Sequence, residues 1–195
     1  MKKIKKLLKH YYLFAFFIPF FILFLTYFIN GIYWKSDTSP LLGDGFHQYV
    51  IFDVTLRNIL HGTDSIFYTF TSGLGLNFYA LSSYYLGSFL SPLVYFFNLK
   101  NMPDAVYLFT LLKFGLMGLT CFVSIKAIFK KISPHLILIL STSYALMSFA
   151  VSQLEIKTWL DVFIIIPLIL LGLHQLITQK RRVLYFTALS ILFIQ

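Results

Sequence analysis

Four long apolar runs constrain this chain most, because each can cross a lipid bilayer as a helix. They cover approximately residues 11–33, 105–125, 136–152 and 162–178. A hydrocarbon core about 30 Å thick is crossed by roughly 20 apolar residues in helical conformation. Only 12% of the residues are charged, against about 25% in soluble domains. The sequence therefore predicts an all-α polytopic membrane protein and excludes a soluble globular domain.

The length of the first apolar run decides between a signal peptide and a membrane span, and the length of the last decides whether it can cross the bilayer. The first is longer than the roughly 7–15-residue apolar region of a signal peptide and does not end in small residues, so we predict an uncleaved span. A fifth run, residues 183–195, is too short to cross the bilayer. We expect an incomplete fifth span and predict that the sequence is the N-terminal part of a longer protein.

The distribution of charge predicts the orientation. With the N-terminus in the cytoplasm, the inner segments are residues 1–10, 126–135 and 179–182. They contain 11 of the 16 basic residues and no acid: Lys2, Lys3, Lys5, Lys6, Lys9, Lys126, Lys130, Lys131, Lys180, Arg181 and Arg182. This satisfies the positive-inside rule and explains the net charge of +9 without a nucleic-acid partner. All seven acids then lie outside or at the outer boundary: Asp37, Asp44, Asp53, Asp64, Asp104, Glu155 and Asp161.

The outer segment of residues 34–104 is predicted to contain a surface helix. Apolar residues in the range 46–61 recur at helical spacing on one face: Phe46, Tyr49, Val50, Leu56, Ile59 and Leu60. Asp53 and Arg57 fall on the polar face at the spacing of a weak helical ion pair. We expect an amphipathic helix lying along the membrane surface.

A second part of this segment, residues 76–97, is apolar and long enough to span. A single crossing there would place the basic residues of 126–135 outside, against the positive-inside rule. Pro92 also removes a backbone donor and interrupts a helix. We therefore predict a broken, re-entrant hairpin that dips into the outer leaflet.

Three positions are candidates for chemistry. Asp44 stands between Gly43 and Gly45, where its carboxylate could take a proton from a hydroxyl or help hold a divalent cation; the alternative is a turn whose Asp caps the following helix. Lys113 lies deep in the second span, where a charge usually meets a partner or faces a cavity; the alternative is a Lys that snorkels. Asp161, at the entrance of the fourth span, could equally be a helix cap.

Other signals are weaker. Glu155 and Lys157 are predicted to be solvated loop charges. The five histidines lack metal-ligand spacing, and the single cysteine, Cys121, allows no internal disulfide. No metal ligand set is therefore predicted, and a divalent metal cofactor stays an open alternative.

Several short motifs, in order, resemble the YfhO-type family of bacterial membrane proteins. They are Gly43-Asp44-Gly45-Phe46-His47-Gln48-Tyr49, Phe67-Tyr68, Gly73-Leu74-Gly75-Leu76-Asn77-Phe78, Tyr84-Tyr85-Leu86, Ser91-Pro92, Leu112-Lys113-Phe114-Gly115-Leu116, Trp159-Leu160-Asp161, Pro167-Leu168 and Leu171-Gly172. The likeness covers most of the chain after residue 40. This chain departs from the family pattern at His47 and at residues 155–158.

The resemblance implies a GT-C-like glycosyltransferase, a polytopic enzyme with a catalytic Asp in its first outer loop. Such enzymes move a sugar from a polyprenyl-phosphate donor to a cell-envelope polymer, such as a teichoic acid, outside the cytoplasmic membrane. Asp44 matches the catalytic position. Gln48, Tyr49, Arg57, Lys113 and Asp161 are the predicted substrate-binding residues, with the donor phosphate near Lys113 or Arg57. A transporter or flippase of a lipid-linked substrate and a non-catalytic membrane scaffold are the alternatives.

Overall fold

The computed structural model describes residues 2–194, with side chains placed for residues 10–193. Within this range the chain forms α1 (Lys2–Ile29), α2 (Val50–Leu60), α3 (Phe78–Tyr85), α4 (Met102–Ile128), α5 (Pro134–Ala145), α6 (Ser148–Ser152), α7 (Lys157–Gln179) and α8 (Val183–Ile194). The described residues contain two isolated β-bridges and no sheet. The predicted all-α architecture is confirmed.

Four helical stretches are long and apolar enough to cross a membrane: His10–Ile29, Leu99–Ile128, Pro134–Ser152 and Lys157–Gln179. The third stretch is interrupted, because the backbone leaves the helix at Leu146 and Met147, between α5 and α6. The fourth begins at Lys157, which places Asp161 inside α7 instead of at its cap. The shorter apolar helix α8 follows after a linker at residues 180–182.

The central helix is α4, which packs against α1, α5 and α7. Two glycines allow α1 to approach it closely: the face of Gly115 lies against the Phe16 ring, and that of Gly118 lies against the Ala15 carbonyl and the Pro19 ring. Small residues at such crossings let helix backbones come together where lipid provides no hydrophobic drive. The contacts also show that α1 and α4 are antiparallel.

We expect Gly118→Leu to destabilise the protein by about 1–3 kcal/mol, the usual cost of overpacking, because a Cβ at Gly118 would collide with the Ala15 backbone. The measurement is the fraction folded during denaturation in detergent micelles. Ala127→Leu is the matched control, since Ala127 is exposed on the same helix. Equal stability of the two variants would contradict the packing argument.

The basic segments of the chain lie together at one end of the helices. At one end the Tyr11 hydroxyl lies 2.8 Å from His135 Nε2, joining α1 to the start of α5 near the basic residues of 126–135. At the other end the Tyr27 and Tyr107 rings lie 5.7 Å apart, beside the segment that links α1 to α4. Because α7 begins at this second end, its C-terminus and the basic residues 180–182 return to the first.

The segment between α1 and α4 differs from its predicted form in two ways. A π-helical turn, Gly45–Tyr49, runs directly into α2. Phe46 and Leu60 are exposed, whereas Asp53, predicted on the polar face, is buried one helical turn after the buried Tyr49. The predicted ion pair of Asp53 with Arg57 is wrong, because Asp53 pairs with Lys157 instead.

The apolar stretch of residues 76–97 does not form one spanning helix. It contains α3, then a break, then a 3₁₀ segment over Ser91–Phe96 with Pro92 in its first turn. Val94 of this segment is buried in a cluster with Ala105 and Phe109 of α4. The interruption expected from Pro92 is present, and its dip into the outer leaflet stays a prediction.

Candidate functional site

Two buried ion pairs join α2, α4 and α7. Lys113 Nζ lies 2.8 Å from Asp161 Oδ2, and Lys157 Nζ pairs with Asp53 Oδ1. Lys113 Nζ also donates a hydrogen bond to the Lys157 carbonyl at 2.7 Å, which links the pairs. We call Asp53, Lys113, Lys157 and Asp161 the buried charge network. Its four residues are 0–5% exposed.

The network is balanced in charge, with two cations and two carboxylates. A buried charge without a partner is strongly destabilising, while a paired one is tolerated. Burial raises the pKa of the Asp53 carboxyl, and the neighbouring Lys157 ammonium opposes that rise. The network therefore attaches α2, which lies outside the spans, to two membrane helices.

Sequence analysis did not predict that Lys157 pairs with Asp53. Lys157 was predicted to be a solvated loop charge, but it begins α7 and is buried. A usable signal was present, since Lys113 and Asp161 sit in or beside apolar runs and a buried charge requires compensation. The identity of the second pair depends on how α2 packs against the start of α7, which apolar spacing does not reveal.

The Gly43-Asp44-Gly45 turn lies where α2 begins. Gly43 adopts φ +46°, a left-handed conformation that favours glycine. The Glu155 carboxylate sits against its backbone, so that a Cβ at Gly43 would collide with Glu155 Oε2. Gly45 is buried against the Glu155 backbone. The turn thus packs against the linker before α7.

We expect Gly43→Ala to destabilise the turn by about 1–2 kcal/mol, the cost of a left-handed non-glycine residue, because the Glu155 carboxylate that the added methyl meets is the end of a flexible side chain and can move aside. Thermal unfolding of the purified protein measures this. Gly73→Ala is a matched control: Gly73 has φ +55° and no atom within 4 Å of an added Cβ. The two variants should therefore lose about the same stability, and a much larger loss in Gly43→Ala would show that Glu155 cannot move aside.

Asp44 is exposed at the tip of this turn. Its side chain makes no capping hydrogen bond, although it directly precedes the π-helical turn. The cap alternative is therefore not what the structure shows. Gln48 Nε2 donates to Asp44 Oδ1 at 3.0 Å, which brings two of the predicted site residues together. A solvent-accessible carboxylate held by a single amide keeps lone pairs free to accept a proton.

Tyrosines flank the Asp44 side of the turn. Tyr49 is buried, and its hydroxyl lies 3.2 Å from Thr158 Oγ1. The pKa of Tyr49 is raised to about 12, mainly by burial. The hydrogen bond with Thr158 opposes this rise, and the charge of Asp44 adds to it. Tyr85 stacks edge-on to Tyr49 with ring centroids 5.3 Å apart, and the exposed Tyr84 neighbours it. Tyr49 thus supports the turn, while Tyr84 is open to a ligand.

Arg57 lies apart from Asp44. Thirteen positions separate them, on the order of 20 Å at the rise of an α-helix. Its Nε donates to the Phe97 carbonyl at 2.5 Å, which ties α2 to the 3₁₀ segment. The structure does not bring this predicted phosphate contact to the turn, and Lys113 and Asp161 face each other in the protein interior.

The carboxylates near the turn do not make a complete metal site. Among the described residues no three His, Cys, Asp or Glu side chains are grouped to hold an ion. Asp44 and Glu155 flank Gly43, but a divalent cation such as Ca²⁺ or Mg²⁺ takes six or more oxygen ligands. These two residues could supply only part of such a shell.

Fold and site together define the class: a multi-pass α-helical membrane protein with an exposed acidic turn held by a buried charge network at one end of its helices. The family model for bacterial membrane protein YfhO matches residues 15–195. The chain therefore belongs to the YfhO family. No curated protein and no solved structure matches the chain.

Proposed function

We propose that the protein is a membrane glycosyltransferase of the bacterial cytoplasmic membrane, which moves a sugar from a polyprenyl-phosphate donor to a cell-envelope polymer on the outer face. The observation that carries the proposal is the exposed, uncapped Asp44 carboxylate at the acidic end of the helices. Its position in the first loop between spans matches the catalytic position implied by the family resemblance.

Orientation supports the proposal. The basic segments 126–135 and 180–182 lie at the end opposite Asp44. Basic loops stay in the cytoplasm as a rule, so the Asp44 end faces outward with the N-terminus inside. An outer-leaflet lipid donor and an extracellular polymer would then meet at the membrane surface beside the Gly43-Asp44-Gly45 turn.

In the mechanism, the Asp44 carboxylate accepts the proton of the acceptor hydroxyl as that oxygen attacks the sugar carbon. The bond from this carbon to the donor phosphate oxygen breaks, and the polyprenyl phosphate departs with the bonding electrons. Gln48 orients the carboxylate through its 3.0 Å hydrogen bond. A positioned base of this kind accelerates such reactions by about 10²–10⁴-fold.

Other predicted binding residues take supporting roles in this proposal. Lys113 and Asp161 hold α7 against α4, and Tyr49 holds α2 against α7 through Thr158. Arg57 remains available for the donor phosphate only if the lipid extends along α2, because it lies far from Asp44.

The experiment compares bacterial cells with and without the gene. The transferase predicts that a sugar disappears from one envelope polymer while its polyprenyl-linked form accumulates in the outer leaflet. A flippase predicts accumulation in the inner leaflet, and a scaffold predicts no accumulation of either. Mass spectrometry of the polymers and leaflet-selective oxidation of the lipid-linked sugar distinguish these outcomes, and the last two contradict the proposal.

A further inference from the structure

A cavity of about 430 Å³ opens beside the Gly43-Asp44-Gly45 turn. One wall is formed by the segment after α1, including Thr38, Ser39 and Leu42. The opposite wall is formed by α6 and the following linker, including Ser152 and Glu155. Leu42 directly precedes Gly43, and the Glu155 carboxylate touches Gly43, so the cavity adjoins the turn that carries the exposed Asp44.

The Glu155 carboxylate is the most polar group of this cavity. It is half-buried and makes no ion pair or side-chain hydrogen bond with any described residue. Lys157, two positions on, is committed to Asp53 and cannot neutralise it. A partly desolvated carboxylate of this kind gains from ligand groups that donate hydrogen bonds to it.

The lining selects the chemistry of the ligand. The described lining residues combine hydroxyls, the carboxylate and apolar walls from Tyr27, Ile32 and Leu154, and they include no Lys or Arg. A phosphate would require cationic or amide donors, whereas neutral hydroxyls can donate to Glu155 and exchange hydrogen bonds with Thr38, Ser39 and Ser152. The volume lies within the usual range of small-ligand pockets, about 300–1,000 Å³.

We propose that this cavity is a carbohydrate subsite in which Glu155 accepts hydrogen bonds from sugar hydroxyls beside Asp44. The assignment rests on the proposed function, because it names part of the substrate of the same site. The sugar could be the one carried by the donor or a sugar unit of the acceptor polymer. Both present the same hydroxyl chemistry to Glu155.

Binding is tested first, without transfer. Saturation-transfer NMR is recorded for the protein in lipid nanodiscs with free glucose, galactose or N-acetylglucosamine. We expect at least one sugar to bind wild type and Asp44→Asn, binding to weaken about tenfold or more in Glu155→Gln, and Ser39→Phe, which fills the cavity, to abolish it. Asp64→Asn, which removes an exposed acid elsewhere in the same segment, should bind as wild type.

Two results would overturn the subsite: no signal from any of the three sugars, or equal binding by Glu155→Gln and wild type. Neither bears on the proposed transfer, which Asp44→Asn tests separately. Conversely, sugar binding that depends on Glu155 in a protein that transfers nothing would retain the subsite and refute the transferase.

Steady-state transfer kinetics then identify the source of the sugar. A higher KM for the acceptor in Glu155→Gln, with the donor KM unchanged, assigns the cavity to the acceptor polymer. The reverse pattern assigns it to the sugar of the donor. Unchanged KM for both substrates would refute the subsite even if free sugars bind.

Discussion

Replacement of Asp44 with asparagine is expected to lower the rate of sugar transfer by about 10²–10⁴-fold, the usual contribution of a positioned general base. Asparagine keeps the shape of the side chain and can still accept the hydrogen bond from Gln48. It cannot take a proton. Because Asp44 is exposed and makes no cap, the folded protein should accumulate normally, so that the loss falls on turnover.

The measurement is incorporation of labelled sugar into the envelope polymer by membranes with matched amounts of variant and wild-type protein. Asp64→Asn is the control, since Asp64 is another exposed carboxylate in the segment between the first two spans. Asp44→Glu, which retains a displaced base, should keep part of the activity. Wild-type transfer by Asp44→Asn would remove Asp44 from the mechanism.

Replacement of Lys113 with methionine should produce the largest loss of stability, about 3–5 kcal/mol, the cost of breaking a buried ion pair. The change leaves the Asp161 carboxylate in the interior without its cation, and the Lys157 carbonyl loses its side-chain donor. Such a loss is a large fraction of the roughly 5–15 kcal/mol by which native proteins are stable. We expect little folded protein in the membrane, as measured by its yield and by denaturation in detergent.

The double variant Lys113→Met with Asp161→Leu separates charge from packing. Asp161 Oδ1 is buried without a hydrogen-bond partner among the described residues, so removing the carboxylate also removes an unsatisfied atom. Replacing a buried pair by apolar residues is often neutral or stabilising. The double variant should therefore recover most of the stability. If it is no more stable than Lys113→Met, then the pair is not what holds α4 and α7 together.

The same network explains how an exposed turn can be positioned precisely. Asp53 binds α2 to Lys157 at the start of α7, and Lys113 binds that start to α4. The Gly43-Asp44-Gly45 turn is joined to α2 by the π-helical turn and packs against Glu155. Rigid support of this type is what holds a catalytic group in place. Substitutions in the buried charge network should consequently reduce activity, although these residues lie away from Asp44.

Sequence analysis located several residues of the site but predicted few of the contacts between them. Asp44 was found because two glycines around an acid mark an unusual turn, and Lys113 because an intramembrane charge is rare. Its partner Asp161 is singled out for its position at the entrance of the fourth span, as a substrate-binding residue or a helix cap, but not as the partner of Lys113. Lys157 and Glu155 looked like loop charges, because nothing local distinguishes a charge that meets a partner 104 positions away from one that meets water.

Hydrophobicity is a local property, and for this reason the apolar runs predicted the membrane class and four spanning stretches. The break near Pro92 followed from the proline itself and from the positions of the basic residues. The clustering of basic residues predicted which helix ends lie together. Pairing is different, because the partners of Asp53, Lys113 and Lys157 depend on how α2, α4 and α7 meet in space. Those contacts join residues far apart in the chain, and only the packed helices decide them.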